Sequence, residues 1–566
     1  MPPALAVAVF LMAWFGLEGR GASEWGVWMS EASDRVLGWL KGPDLWSLSA
    51  IDAAWKGHAA LPPLPILATS LVRAAAPGLG FFEAARLISC LSVALTVPLI
   101  WGLGRRCGGP PGAATAVFAF ILTPRILGLS GLAGFGAPAV FGIVFAAYAL
   151  YRARTHRRWA IAAPLAVAIG VLTAQTTILA LVPWCILSLT DKGAIAAMST
   201  QATSKVAAGA PRGSFMPSSF SPWLLLTPLL VLPLCVALHP WAWSEPTSNL
   251  WAYFEHFLVH DREPFLYLGR RVTEERLPVT GSVVFLLATL PPMIAAMGLA
   301  GVLGEGVLQP MLRRWGGRRL SALIAIRPDP EAAGPEAREA KRWAFGFLGL
   351  TLALPWLAGS PVFGVVDLVA MSVPFLAVFA GCAFSRLFSV AADYVRLRAP
   401  RSGAALAVAL AAFGVYTFAS AALTCRQHYA AAEAYYSWII GGPSGAVALG
   451  LPRYPFGPLP VAVARELAAQ RAQAPGGATM AAVVDARRTR KILDCYARHG
   501  LVGPLPSWRD RYDAELLLMP HADADPAFTG QLSRLAASTT PERSLVLRSG
   551  GVRLFTIARP DAGARP

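Results

Sequence analysis

Charged side chains are scarce in this sequence. They make up 14% of its 566 residues, where soluble domains carry roughly 25%. The deficit excludes a water-exposed surface for most of the chain, which is 55% hydrophobic with a mean hydropathy of +0.52. Acids are scarcer than bases, 32 Asp and Glu against 49 Lys and Arg. In a chain of this hydropathy the excess belongs to cytoplasmic loops of a multi-pass membrane protein, not to a nucleic-acid partner. No CxxC pair occurs among the seven cysteines, so neither a zinc site nor a disulfide framework is indicated. Cys90, Cys185, Cys235 and Cys382 lie in apolar runs and read as buried thiols. The glycine-rich GGPSGAVALG (441–450) follows no strand and is not a phosphate loop. Residues 2–16 lack a basic leader and a small-residue cleavage site, so they read as an uncleaved span. No internal repeat is present. Apart from Asp367, no ionisable residue falls clearly mid-span, which argues against an ion or proton transporter.

What is present is a series of apolar runs. A spanning helix needs about 20 such residues. The candidates are 2–16, 85–104, 112–128, 133–151, 159–190, 222–240, 281–305, 343–358, 362–385 and 403–424. The run 159–190 is long enough for two crossings with Gln175-Thr176-Thr177 at the turn, so about eleven spans are expected. Four basic loops, Arg105-Arg106, Arg152 to Arg158, 313–342 and Arg386 to Arg401, belong on the cytoplasmic side. They agree only if 61–76 lies along the outer interface instead of crossing. That places loops 17–84, 124–132 and 241–280 and the tail after about 425 on the far side, and loop 191–221 in the cytoplasm. The expected organisation is a transmembrane region over 1–425 and an extracytoplasmic region over 426–566. The latter holds a small α/β domain at about 478–560. Within it Met480–Asp485 and Ala514–Met519 read as buried strands and Arg488–Arg498 and Pro526–Ala537 as helices. Ser544–Arg548 and Val552–Ala558 flank Gly550-Gly551 as a hairpin.

The outward loops hold the candidate chemistry. The first carries Glu18, Glu24, Glu31, Asp34, Asp44, Asp52 and His58. Loop 241–280 contains HFLVHDREPFLYLGRRV, whose His256, His260, Asp261, Arg262, Arg270 and Arg271 suit a phosphate or pyrophosphate. The same composition also describes a solvated loop whose aromatics sit at headgroup level. Arg125, in Thr123-Pro124-Arg125 at the outer end of a span, either binds a lipid phosphate or snorkels.

The order of AIDAAWKGHAALPPL (50–64), AARLISCLSVALTVPLIWGLGRR (84–106), TPRILGLSGLAGFGAPAVF (123–141), PFLYLGRRV (264–272), TLPP (289–292), PVFGVVDLVAMSVPFLAVFAG (361–381) and HYAAAEAYYSWIIGGPSGAVALG (428–450) resembles the GT-C glycosyltransferases. The resemblance is specifically to bacterial relatives of the protein O-mannosyltransferases, glycosyltransferase family 39. It implies a mainly α, polytopic fold in the bacterial inner membrane. It also implies inverting transfer of a hexosyl or mannosyl-type sugar from a polyprenyl-phosphate donor to an extracytoplasmic glycan, lipid or protein acceptor. A first-loop carboxylate acts as base in that chemistry. Carried onto this chain, the base falls to Glu24, with Glu31 second. Arg125, His260, Arg270 and Arg271 face the donor phosphate, and His58 and Tyr267 belong to the substrate loops. No cofactor is indicated with certainty, and no metal ligand set is assigned.

The chain departs from the family at several of these places. No Asp-Glu pair opens the first loop. Ala60, Leu61 and Pro62 stand where a Glu-His-Pro triplet is usual. Leu129 and Gly136 stand where a His and an Asp follow Pro-Arg, and Asp367-Leu368 replaces a Lys-His pair. The alternative reading is therefore a non-catalytic relative that binds a lipid-linked glycan or partners an active transferase.

Overall fold

The structure is a computed structural model. It describes residues 2–15, 23–58, 61–154, 156–189, 227–258, 265–272, 278–308, 335–357, 369–398, 400–428, 435–451, 461–472, 479–482, 486–500, 507–508, 516–520, 545–549 and 552–558, with Ala432 and Val502. The architecture is mainly helical.

Helix α1 spans Pro2–Phe15, α2 Glu24–Lys41, α3 Leu48–Trp55 and α4 Pro63–Ala75. Ser23 caps α2 by accepting the Gly26 N–H at 3.1 Å, and Gly42 in extended conformation followed by Pro43 stops it. The long element α5, Glu83–Ile121, is two helices joined by a turn at Gly108-Gly109. Gly109 has φ 65°, and Pro110-Pro111 restart the helix at positions where a missing N–H is harmless. The second half folds back on the first: a Cβ on Gly104 would meet Ala113 Cα at 3.0 Å.

Two expected spans are broken. The run 112–128 ends at Ile121. Leu122-Thr123 leave the helix, and α6, Pro124–Gly131, starts anew with proline at its first position. The run 281–305 is divided into Val279–Thr289 and Pro292–Val302 by extended Leu290 and Pro291. Both breaks follow from proline lacking an N–H for the preceding turn. The run 159–190 breaks at extended Ala174 into α8, Arg157–Thr173, a 3-10 turn at Gln175–Ala180, and α9, Leu181–Leu189. Helix α7 covers Gly136–Ala153. Among the described residues, Glu83–Ile121 and Gly136–Ala153 are long and apolar enough to cross a membrane, and eight further apolar helices are shorter.

The main core joins α5, α7, α8 and the helices Pro335–Leu357 and Val373–Arg398, with Phe120, Tyr151, Phe347, Phe375 and Phe379 almost fully buried. Small residues bring these helices together. A Cβ on Gly381 would lie 2.2 Å from the Gly112 carbonyl oxygen, so the two backbones touch. At one end the described parts of the four basic segments meet. Arg106 pairs with Glu336, Arg154 Nε lies 2.5 Å from Glu339, and Glu305 receives Lys341 at 3.0 Å and Arg386 at 2.6 Å.

At the opposite end a second core is built from α2, α3, α4, the start of α5 and the C-terminal helices Val461–Ala472 and Ala486–Arg498. Ile492, Leu493, Cys495 and Tyr496 supply the buried face of the last helix, the 3.6-residue periodicity of an amphipathic helix. Tyr496 meets the Phe82 ring edge-on at 5.8 Å. This helix follows strand β3 (Thr479–Ala482) and leads to β4 (Ser507–Trp508), which is parallel to β3. With β5 (Leu516–Pro520), β6 (Leu545–Ser549) and β7 (Val552–Ala558) they form a mixed sheet in the order β4-β3-β5-β7-β6. The segment 526–537, expected as a helix, lies outside the described residues.

Candidate active site

Helix α6 connects the two halves of the candidate site. Arg125 in its first turn is 5% exposed. Its Nη2 donates to the Tyr435 carbonyl at 3.3 Å, and its Cζ lies 5.2 Å from the Tyr436 ring centroid. Fully buried polar groups of this kind persist only with partners, and here aromatic and carbonyl groups hold the guanidinium plane in one orientation. The segment carrying these tyrosines is itself anchored, since the Ser437 N–H donates to the Ala288 carbonyl at 2.7 Å.

The same segment ends against the strands β1 (Phe265–Tyr267) and β2 (Arg270–Val272). These pair through a turn at Leu268-Gly269, φ 48° and 77°, and the Gly269 N–H donates to the Gly450 carbonyl at 3.0 Å. Gly450 admits no side chain there: its Cβ would lie 2.0 Å from Gly269 N. Residues 435–451 thus bring Arg125 and the 265–272 hairpin to one region. Tyr267 is buried with its ring 5.8 Å from Phe285, and Arg270 is exposed. The Arg271 backbone pairs with Leu266. His260 lies outside the described residues.

At the far end of α6 the chain turns through Leu132–Phe135. The Ser23 hydroxyl donates to the Ala133 carbonyl at 3.3 Å, and a Cβ on Gly26 would lie 2.6 Å from that same oxygen. The start of α2, with Glu24 as its first residue, is therefore pinned beside Ala133. Six residues separate Arg125 from Gly131, about 9 Å of helix.

Glu31 and His58 occupy a different environment. Glu31 accepts from Arg498 Nη2 at 2.9 Å. This pair is part-exposed and contributes little stability, but it directs the Glu31 carboxylate to the C-terminal helix. Lys491 Nζ stands 3.2 Å from the Trp28 ring centroid, and Trp28 meets His58 edge-on at 5.4 Å. His58 is 4% exposed with neither ring nitrogen hydrogen-bonded. Burial pushes its pKa down from 6.5 to about 4. Arg35 adds to the shift and Glu31 opposes it. The unfolded chain takes up this proton near pH 6.5 and the folded chain only near pH 4. The stability contributed by neutral His58 is complete above pH 6.5 and is lost as pH falls toward 4. A His58→Phe protein is expected to show a shallower loss of melting temperature between pH 6.5 and 4, measured by thermal unfolding in detergent.

Leu129 and Gly136, the places where the resemblance implies a His and an Asp, touch one another. A Cβ on Gly136 would meet Leu129 Cδ2 at 2.8 Å. Leucine fills the space that a side chain at 136 would need, so the two positions are one packing unit. Leu61 is likewise buried in the second core. Ala60, Asp367 and Leu368 lie outside the described residues. Sequence reasoning missed Tyr435, Tyr436, Lys491 and Arg498 as neighbours of the candidate residues. The only available signal was the paired tyrosine in HYAAAEAYYS directly after a span.

Comparison with known proteins gives one family-model match over part of the chain and distant similarities to solved structures. Residues 69–208, about a quarter of the chain, match the family model described as dolichyl-phosphate-mannose-protein mannosyltransferase. No curated protein matches. Among solved structures, ArnT from Cupriavidus metallidurans bound to undecaprenyl phosphate is similar at 16% identity and a TM-score of 0.44. That match covers 100% of this chain and 98% of that one. The archaeal oligosaccharyltransferase AglB from Archaeoglobus fulgidus, in complex with an inhibitory peptide and a dolichol-phosphate, is similar at 13% identity and a TM-score of 0.46. It covers 88% of this chain and 60% of that one. The family model and the order of sequence segments point the same way, and the chain is similar to the GT-C glycosyltransferases of the protein mannosyltransferase type.

Proposed function

We propose that the protein transfers a sugar from a polyprenyl-phosphate-sugar donor to an extracytoplasmic acceptor. In this reading the basic-loop end of the bundle faces the cytoplasm, and the second core with the C-terminal sheet lies outside the bacterial inner membrane. The observation that carries it is Arg125, a buried guanidinium fixed by Tyr435 and Tyr436 at the end of the bundle opposite the basic loops. A planar, permanently charged fork suits phosphate oxygens, which accept two parallel hydrogen bonds from it. Arg270 on the neighbouring hairpin is a second cation within the same region. Glu24, pinned near Ala133, is the proposed general base. A base must come within hydrogen-bond reach of the acceptor hydroxyl, and a sugar ring bridges the separation between base and phosphate.

Arg125→Ala is expected to weaken binding of polyprenyl phosphate by at least about tenfold, measured by equilibrium binding to purified protein in nanodiscs. Unchanged affinity would place the phosphate elsewhere. A second reading, a non-catalytic relative that keeps the lipid-phosphate site, is favoured by the Leu129–Gly136 packing and by Arg498 holding Glu31. Under that reading donor binding depends on Arg125 while no sugar is transferred.

A further inference from the structure

An aromatic surface remains at the outer end that the proposed chemistry does not use. Trp46, between α2 and α3, is 81% exposed. One side of its ring stacks on Trp243 at 5.8 Å and 16°. The loop is fixed, because Trp39 Nε1 donates to the Leu45 carbonyl at 3.2 Å. A hydrogen-bonded row runs beside the stacked pair. The Ser244 hydroxyl donates to Asp52 Oδ1 at 2.8 Å, and Asn249 Nδ2 donates to Ser244 Oγ at 3.0 Å and to the Trp241 carbonyl at 2.8 Å. Ser47 and Ser49 hydroxyls pair at 2.9 Å on the same loop.

Leaving an indole face in water costs free energy in proportion to its apolar area. Here the ring is also braced from behind and flanked by a carboxylate, an amide and hydroxyls. The apolar face of a pyranose ring stacks on such an indole, while its hydroxyls both donate and accept, which carboxylate, amide and serine groups can answer. A lipid surface suits the same tryptophan less well. Exposed Leu45 and Leu48 lie close to it in sequence, but so do exposed Lys41, Asp44, Asp52 and Lys56, and Glu245 follows Ser244.

We propose that Trp46, backed by Trp243 and flanked by Asp52 and Asn249, is a saccharide-binding platform. It lies at the C-terminal end of α2, about 27 Å along the helix from Glu24. That distance spans several sugar rings, so the platform holds a remote unit of an extended glycan. The stacking site itself does not depend on the roles given to Glu24 and Arg125; its remoteness from the reacting end rests on the Glu24 assignment.

Full-length protein in nanodiscs is tested on a printed array of hexose and N-acetylhexosamine oligosaccharides, and retained glycans are titrated by saturation-transfer NMR. At least one glycan is expected to bind. Trp46→Ala and Asp52→Asn should each weaken it by about tenfold or more, while Trp251→Ala, which removes a tryptophan 63% exposed, leaves it unchanged. No retained glycan, or equal retention by Trp46→Ala, overturns the proposal. A parallel measurement uses brominated lipid in the same nanodiscs. Quenching of the fluorescence difference between wild type and Trp46→Ala would show Trp46 seated in the bilayer, and that too overturns it.

Discussion

Gly381→Leu is expected to abolish the folded protein. The Cβ alone would lie 2.2 Å from the Gly112 carbonyl oxygen and 3.2 Å from Ala116 Cβ, and the nearest atom is backbone that cannot rotate away. Gly112 answers from the other side, its own Cβ 3.2 Å from the Gly381 oxygen. Helices in a bilayer gain stability from close backbone approach between small residues, because lipid is as apolar as leucine and supplies no other drive. Overpacking a tight core commonly costs about 1–3 kcal/mol, and a backbone clash exceeds what side-chain repacking relieves. Gly349→Leu is the control, since a Cβ there meets nothing within 4 Å. Size-exclusion profiles in detergent should show a monodisperse Gly349→Leu protein and aggregated or absent Gly381→Leu protein. A well-folded Gly381→Leu protein would mean that the α5 hairpin does not pack on the Val373–Arg398 helix as described.

The second large effect is a gain. Gly136→Asp alone should be damaging, because its Cβ enters the space of Leu129 Cδ2. Leu129→His with Gly136→Asp replaces the clashing methyl by an imidazole that can donate to the new carboxylate, and supplies the His and Asp that the family resemblance implies at these places. One hydrogen-bonding group at a charge-stabilising site is worth about 10²–10³ in rate. The double variant is therefore expected to transfer sugar about 10²-fold faster than wild type, with the single Gly136→Asp variant below it. Turnover is read as radiolabelled sugar leaving the donor lipid. Equal rates for all three proteins would show that positions 129 and 136 lie outside the reacting region.

Much of the scaffold was legible because its causes are local. Pro63 at the start of α4 and the apolar spacing behind it mark a short helix at the place expected for 61–76. Gly108-Gly109-Pro110-Pro111 is a turn signal whatever surrounds it. The basic runs predicted which loops share a side, and the pairs of Arg106, Arg154 and Arg386 with acids of 305–339 bring those loops together. The break at Leu290-Pro291 was missed, because a window average of hydropathy passes over a short extended turn, and the span 112–128 was drawn past the helix end at Ile121 although 124–132 was expected as an outward loop. The site was legible only in its isolated members. Arg125 stands out in Thr-Pro-Arg, but the tyrosines that hold it are some 310 positions away, and Arg498 is 467 positions from Glu31. No periodicity encodes such pairs. The departures implied by the resemblance are an expectation from sequence alone, whereas the fit of Leu129 into the space of Gly136 is a tertiary fact.

The most direct test of the account is sugar release from a polyprenyl-phosphate-sugar donor by purified wild type, with Glu24→Gln, Glu31→Gln and Arg125→Ala beside it. The account predicts measurable wild-type transfer that falls about 10²-fold or more in Glu24→Gln and Arg125→Ala. It predicts only a small change in Glu31→Gln, whose carboxylate is engaged by Arg498. Wild-type turnover that survives both the Glu24 and the Arg125 substitutions would contradict it.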